Sequence, residues 1–512
     1  MSPNTSVPVH GIPPAEVLER LRELRTFDAP THGGRVLSYV YDSGRPELDR
    51  LASEAAELSR PLNGLDPTAF PSIAVMERDL VGFVRRALGG DRRRLGGRIV
   101  GSVTSGGTES CLLAVKTARD LWRKSAAGRA ILATNPAAKP RLVAPMTVHS
   151  AFHKAARIFD LELDLVPCEP DGTVYGQHLT RRLGDDVALV VVSAPAYPVG
   201  SMDPVGEVSR AALALGISCH VDACFGGLVM PWWPGTPKWD FRLPGVTSIS
   251  ADLHKFGYAP KGVSVLLHRG RIRHRAQFFA LAKWPGYPIV NPTLLGSKSA
   301  SPLAAAWAIV QRLGAEGYRE LTASCVRSVR AITEEVDRIR GLRVLGPQLG
   351  PAIALVADET VPAEQRVDPH LLADEITKLG FTIQHQPGVL QSNGVRLPHS
   401  AHLTITPVTE RSVRELSAAL HRAADAVRGK PRASVAFAAT MLRALGYDET
   451  RVPTPAAAWA ILRVAGAAPK RPSSSSGVMP SRMAPLMALV EQIPGPVAEA
   501  LLTELLARVS ER

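Results

Sequence analysis

Four short segments hold the residue types that anion binding, ring stacking and Schiff-base chemistry require. Ser105-Gly106-Gly107-Thr108-Glu109-Ser110 follows an apolar run and opens an amphipathic helical pattern. Paired glycines let the backbone approach an anion, and a helix start offers free N–H groups at the positive end of the dipole. Ser105, Thr108 and Ser110 add hydroxyl donors, so the segment reads as a phosphate cradle, with a plain strand-to-helix turn as the alternative. It has neither the G-x-G-x-x-G of a dinucleotide site nor the Gly-Lys-Ser/Thr of a P-loop. His149, in MTVHSAFHKAA, falls just after a strand, where α/β sheets bind ligands, and is placed to stack on a flat ring. A structural hydrogen bond is its competing role, and His153, one turn on, is a weaker candidate. Asp222, in HVDACFGG, ends an apolar run; such a carboxylate pairs with a protonated ring nitrogen or caps a helix. In SISADLHKFGYAPKG, His254 and Lys255 follow another strand. Apolar and aromatic neighbours predict a desolvated Lys255 with a lowered pKa, prepared for Schiff-base formation. Lys261 competes for that role on composition alone.

These segments need a scaffold that brings strand ends together. Between about 100 and 270, short apolar runs alternate with amphipathic helices: 141–146, 163–168, 188–194, 217–223, 246–251 and 262–269, with helices at 108–124 and 203–216. Runs this apolar predict strands buried on both faces of a mostly parallel sheet. The pattern divides the chain into an N-terminal helical segment (1–60), a large cofactor-binding domain (61–320), a small α+β domain (321–430) and a helical extension (431–512). Two helices, at 16–25 and 47–58, flank a Gly-rich turn in the first, and a long helix from 302 is expected to break near Gly314–Gly317. The extension carries a Ser-rich linker at 470–480 and ends in an amphipathic helix expected to dock on the body or on a partner subunit.

A phosphate loop, then a stacking His, then an Asp after a strand, then His-Lys after another is the order found in fold-type I pyridoxal-phosphate enzymes. On VTSGGTESCLLAVKTARD, HSAFHKAARIFDL, HVDACFGG, SISADLHKFGYAPKG and NPTLLGSKSASPLAAAWA, the chain resembles the sphingosine-1-phosphate lyases and, more broadly, the group II pyridoxal-dependent decarboxylases. The resemblance implies an α/β, aspartate aminotransferase-like fold with pyridoxal 5′-phosphate as cofactor. Lys255 would carry the cofactor, Asp222 would face its ring nitrogen, and His149 would stack on it. Ser105, Gly106, Gly107 and Thr108 would hold its phosphate, with His254 and Ser297 nearby. Tyr41, Lys261, Asn63 and Lys298 would meet the substrate, the segment around Ser297 and Lys298 closing the site from a neighbouring subunit of a homodimer. The implied reaction is retro-aldol carbon–carbon cleavage of a 2-amino-3-hydroxy amine, lipid-like and phosphorylated; an amino-acid decarboxylase on the same scaffold and a non-catalytic relative are the alternatives. Three positions depart from the family. Its Asn-Pro-Leu-His-Pro-Asp stretch is replaced by Arg60-Pro61-Leu62-Asn63-Gly64-Leu65-Asp66-Pro67, its Gly-Ser-Arg by Gly296-Ser297-Lys298, and a loop tyrosine by Ile289, with Tyr287 close by.

Composition narrows the class further. At 512 residues and 45% hydrophobic, the chain is long and apolar enough for several cored units. A net charge of +13 favours anionic ligands weakly, but the densest basic run, Arg92-Arg93-Arg94 with Arg98, lacks interleaved aromatics, so nucleic acid is not expected. Five cysteines without a C-x-x-C pair argue against a disulfide framework or a zinc site, and predict reduced thiols in the cytoplasm. The N-terminal residues lack a signal-peptide pattern, and no apolar run approaches the length of a membrane span.

Overall fold

The computed structural model describes residues 10–91, 97–433, 435–465 and 482–511. The Arg92–Arg94 run and the Ser-rich linker lie outside the described residues. Seven strands form the central sheet: β1 (Ile99–Thr104), β2 (Arg141–Pro145), β3 (Glu162–Val166), β4 (Val187–Ser193), β5 (Ser218–Asp222), β6 (Ser248–Asp252) and β7 (Ser264–Arg269). Their order is β1-β7-β6-β5-β4-β2-β3, and only β7 runs against its neighbours.

The period-two alternation of strand side chains makes one continuous apolar run serve two cores. Leu142, Ala144, Leu189 and Val191 face the helices Gly107–Lys124 and Ser150–Phe159, meeting Val115 and Phe152. Val143, Val190, Val192 and Val221 face the other way, into the larger core with Val205, Val208 and Ile309. Every residue of β4 is buried. Each such valine contributes roughly 1.5–3 kcal/mol by leaving water, so a sheet covered on both faces is the stable outcome of this sequence.

The helix Ser301–Val336 is broken at Gly314, whose φ of 54° lies in the left-handed region that glycine occupies without strain. Beyond it, four antiparallel strands form a smaller sheet in the order 342–344, 352–357, 400–404, 384–386. The stretch read as a Gly-rich turn has a larger task. Leu37 N–H donates to the Thr382 carbonyl at 2.8 Å and its own carbonyl accepts from Thr404 N–H at 2.7 Å. Residues 35–44 are thereby fastened to the small sheet, and Tyr41 is carried over the ends of the large one.

The helical extension has its own core, in which Val497, Leu501 and Leu505 of the last helix meet Leu462 and Leu489. The last helix is therefore packed within the extension itself. The extension meets the body one helix earlier, where the Asp374 carboxylate accepts the N–H groups of Met483 and Ala484 at 2.9 and 3.2 Å. All five cysteines are buried and unbridged. Among the described residues no helix is long and apolar enough to cross a membrane.

Candidate active site

The C-terminal ends of β1, β2, β4, β5 and β6 surround a cavity of about 480 Å³. Open parallel sheets place ligand sites at such strand ends. Ser105, Gly106, Gly107, Thr108, His149, Asp222, His254, Lys255 and Tyr41 all line it; from Ser105 to Lys255, distant positions become neighbours because each loop follows a strand, and Tyr41 joins them from the 35–44 segment.

The loop after β1 is shaped for close approach. The helix begins at Gly107 without a side-chain cap, leaving its first N–H groups for a ligand. A Cβ on Gly107 would stand 2.6 Å from an Asp252 carboxylate oxygen and 2.9 Å from the Cys224 sulfur. Gly107→Ala should therefore weaken binding of the phosphorylated cofactor about tenfold or more, the scale of a 1–3 kcal/mol overpacking cost. Titrating the apo-protein with cofactor by fluorescence checks this, and unchanged affinity would place the phosphate elsewhere. Ser110 does not join the cradle. It is fully buried, and its hydroxyl is shared with Thr104 at 2.7 Å and Ser264 at 2.9 Å, on the core side of the helix. Ser105 N–H instead meets Glu109, whose other oxygen accepts from Leu294 N–H, tying the cradle to the 293–295 loop.

His149 combines both roles that its position allows. Its Nδ1 accepts the Ala151 N–H at 3.1 Å and so caps the following helix, while the ring lines the cavity. Burial lowers its pKa, leaving a neutral imidazole suited to stacking. His153 is exposed and does not line the cavity. Asp222 ends β5, almost fully buried, with one carboxylate oxygen accepting the Cys224 N–H at 3.0 Å and the Ser250 hydroxyl at 3.4 Å.

Lys255 departs from expectation in charge though not in place. Burial alone would lower its pKa, but Asp252 stands 3.0 Å from its ammonium; with smaller contributions from Tyr41, Cys224 and Asp222, it holds Lys255 well above the ordinary lysine range. The amine whose pKa falls is Lys261, partly enclosed although the residue keeps an exposed surface. Burial, reinforced by the Lys255 charge, brings it down to about 8. Its ammonium lies 4.6 Å from the centre of the Tyr41 ring and donates to the His254 carbonyl at 3.2 Å.

Asn63, Ser297 and Lys298 meet one another but not Lys255. Asn63 Nδ2 donates to the Ser297 hydroxyl at 3.3 Å, and Gly64 N–H to the Lys298 carbonyl at 2.8 Å. They flank a neighbouring cavity of about 340 Å³ which shares only Ser105 with the first, because the Asn63–Ser299 bridge holds both segments beyond β1. Placing Ser297 on the cofactor, and Asn63 and Lys298 on the substrate, is thus not met within one chain. Sequence reasoning also passed over Asp252, Tyr197 and Gln384, which line the cavity, the last two joined by a 2.6 Å hydrogen bond. Asp252 carried the same signal as Asp222, a carboxylate closing an apolar strand.

The donor set suits a flat, phosphorylated pyridine aldehyde. The glycine cradle would be filled by any side chain, and His254 Nδ1 is buried with no hydrogen-bond partner among the described residues. An imidazole, a buried carboxylate and a lysine surround the space beyond. Fold and site together define a fold-type I pyridoxal-phosphate enzyme.

Comparison with known proteins sharpens this. Residues 47–345 match the pyridoxal-dependent decarboxylase conserved domain, and 433–508 match the "pyridoxal-dependent enzyme, C-terminal putative HTH domain". Sphingosine-1-phosphate lyase 1 of Rattus norvegicus is 34% identical over 79% of this chain and 67% of its own length. The sphingosine-1-phosphate lyase of Arabidopsis thaliana is 32% identical over 83% of this chain and 74% of its own length. The solved structure of the Burkholderia pseudomallei sphingosine-1-phosphate lyase superposes with a TM-score of 0.74 at 30% identity, covering 86% of this chain and 96% of that one. The chain belongs to the sphingosine-1-phosphate lyase family, within the pyridoxal-dependent decarboxylases, and is a pyridoxal-phosphate-dependent lyase.

Proposed function

We propose that the enzyme cleaves a phosphorylated sphingoid base between its amine- and hydroxyl-bearing carbons, releasing a long-chain aldehyde and phosphoethanolamine. The observation that carries this reading is a second amine, Lys261, poised beside Tyr41 at the edge of the cavity and tuned to about 8. A decarboxylation needs no base for a substrate hydroxyl, whereas a retro-aldol cleavage does. The names borne by the relatives point the same way.

Gly106 and Gly107, with Ser105, Thr108 and His254, are assigned to the cofactor phosphate, and Lys255 to its covalent attachment. His149 is assigned to one face of the ring and Asp222 to its nitrogen. Pyridoxal phosphate, when bound, supplies a conjugated, electron-accepting ring that takes up the electron pair of the broken bond. Neutral Lys261 removes the proton of the 3-hydroxyl, the oxygen closes to a carbonyl, and the bond between the 2- and 3-carbons breaks. The ammonium of Lys255, kept charged by Asp252 when free, returns a proton to the 2-carbon. Tyr41 stays protonated throughout, since burial raises its pKa, and orients the hydroxyl by hydrogen bonding.

Because Lys261 acts as a base only when deprotonated, turnover should rise with pH through a limb at about 8 or above. The limb moves up towards the ordinary lysine value when Lys255 loses its charge. Lys261→Met should remove that limb and lower kcat by about 10²–10⁴-fold, the range for a lost general base. A variant whose pH profile matches the parent would remove Lys261 from the chemistry. The reaction is tested by incubating loaded enzyme with a phosphorylated sphingoid base and, separately, with amino acids, reading products by mass spectrometry. An aldehyde with phosphoethanolamine supports cleavage; an amine one carbon dioxide lighter than its amino acid makes the enzyme a decarboxylase.

The same reading makes the active form a homodimer. Its support is the exposed apolar hairpin of 279–291, with Phe279 56%, Tyr287 57% and Val290 63% exposed, which a second subunit would cover. In that arrangement Asn63, Ser297 and Lys298 complete the partner's cavity, Lys298 offering a cation to the substrate phosphate. Cytoplasmic residence is proposed on the five unbridged thiols.

A further inference from the structure

Behind Asp222 the sheet holds a row of polar side chains that the reaction does not use. β5 and β6 run parallel in a register that pairs His220 with Ser248 and Asp222 with Ser250. Residues two apart on a strand share a face, so the four form one block on the side of the sheet nearest Phe152, whose ring lies 5.7 Å from that of His220. His220 and Ser250 are fully buried, and Ser248 nearly so. Apolar side chains would fill these strand positions equally well, and buried polar groups are tolerated only when hydrogen-bonded.

Here each of them is partnered, and for a neutral imidazole the protons have only one consistent arrangement. A carboxylate can only accept, so the Ser250 hydroxyl donates to Asp222 at 3.4 Å. Ser250 must then accept from His220 Nε2 at 3.1 Å, and His220 Nδ1 must accept from the Ser248 hydroxyl at 2.8 Å. The required imidazole is neutral with its proton on Nε2. Burial favours that state, pulling the His220 pKa down to about 4. All three donors point towards Asp222, and hydrogen bonds aligned in this way polarise one another.

We propose that His220 is a positioning residue: through Ser250 it delivers a hydrogen bond to Asp222 and so keeps the cofactor's ring nitrogen protonated. This rests on the cofactor reading above, in which Asp222 faces that nitrogen. Weakening the chain lets negative charge on Asp222 become less favourable and loosens its hold on the ring proton.

The experiment uses cofactor labelled with ¹⁵N in the ring, loaded onto the parent enzyme, His220→Leu, His220→Gln and Ser250→Ala, with ¹⁵N resonance and visible absorbance read on each. The parent should resonate as a protonated ring. His220→Leu and Ser250→Ala should bind cofactor but move towards the unprotonated position, the protonated-to-unprotonated ratio falling about tenfold, one unit of ring pKa. His220→Gln, which can still offer an N–H to Ser250, should return most of the way to the parent. A merely structural role would not order the variants in this manner. If His220→Leu does not fold, Ser250→Ala, which removes one hydroxyl, carries the same test. A bound cofactor with unchanged resonance in the variants overturns the relay alone. A parent protein that takes up no cofactor overturns the cofactor reading and the relay with it.

Discussion

Lys255→Ala is expected to abolish the visible absorbance of the cofactor-loaded protein and to lower turnover by at least about 10³-fold, since the proposed mechanism gives this one residue both covalent attachment and proton return. It is the one lysine among the residues lining the cavity, and Lys261 at the edge is engaged with the His254 carbonyl. The variant has a second consequence. Asp252 is 1% exposed and loses the ammonium 3.0 Å away, and stranding a buried charge costs about 3–5 kcal/mol. His254, 3.4 Å from the same carboxylate, remains as a basic neighbour. Thermal unfolding should therefore show Lys255→Ala less stable than the parent, and Lys255→Ala with Asp252→Asn more stable than Lys255→Ala alone, while both stay inactive. Retention of the absorbance band in Lys255→Ala would move the attachment to another amine. Equal stability of the single and double variants would mean that the Asp252–Lys255 pair contributes nothing to stability.

The placement of the site was readable because the cradle, His149, Asp222 and Lys255 each follow a run of buried apolar residues, and such runs are legible without knowledge of their partners. β4 is VALVVVS, and strands of that kind admit few topologies. What the sequence did not disclose depends on contacts across long separations. Asp252 reverses the expected charge behaviour of Lys255, and the relevant fact is a 3.0 Å distance rather than a residue type. The same desolvation argument was sound but belonged to Lys261, where the opposing pull of the Asp252 carboxylate is too small to prevail. Ser110 has the composition of a phosphate ligand, yet one turn of helix rotates it into the core beside Thr104 and Ser264. Residues 31–44 have the glycines of a turn, and only the pairing of Leu37 with 382 and 404 reveals a cover for the cavity. Asn63 and Ser297 are 234 positions apart, so no local pattern could join them. The helix Pro71–Ala87, which buries Ile73, Leu80 and Val84 and was not anticipated, is different: its spacing was legible in the sequence.

The second large effect is expected at Asp222, where one atom changes and the fold does not. Asparagine keeps a carbonyl oxygen able to accept the Cys224 N–H and the Ser250 hydroxyl, both now received by Asp222. The loop after β5 should therefore form as before, and cofactor attachment through Lys255 should survive. What disappears is the negative charge that the proposed assignment sets opposite the ring nitrogen, in a position almost closed to water, where screening is weak. Removing one member of a buried ion pair costs about 3–5 kcal/mol. Expressed in the barrier of the bond-breaking step, that is roughly 10²–10⁴ in rate. Asp222→Asn should accordingly bind cofactor with a visible band, lose turnover by that factor, and show its ring nitrogen unprotonated. Asp222→Glu restores the charge but displaces the carboxylate by a methylene from Ser250 and the Cys224 N–H, so it should recover only part of the rate. Turnover within threefold of the parent in Asp222→Asn would show that ring protonation is not what limits this lyase, and the buried row ending in His220 would then serve packing rather than chemistry.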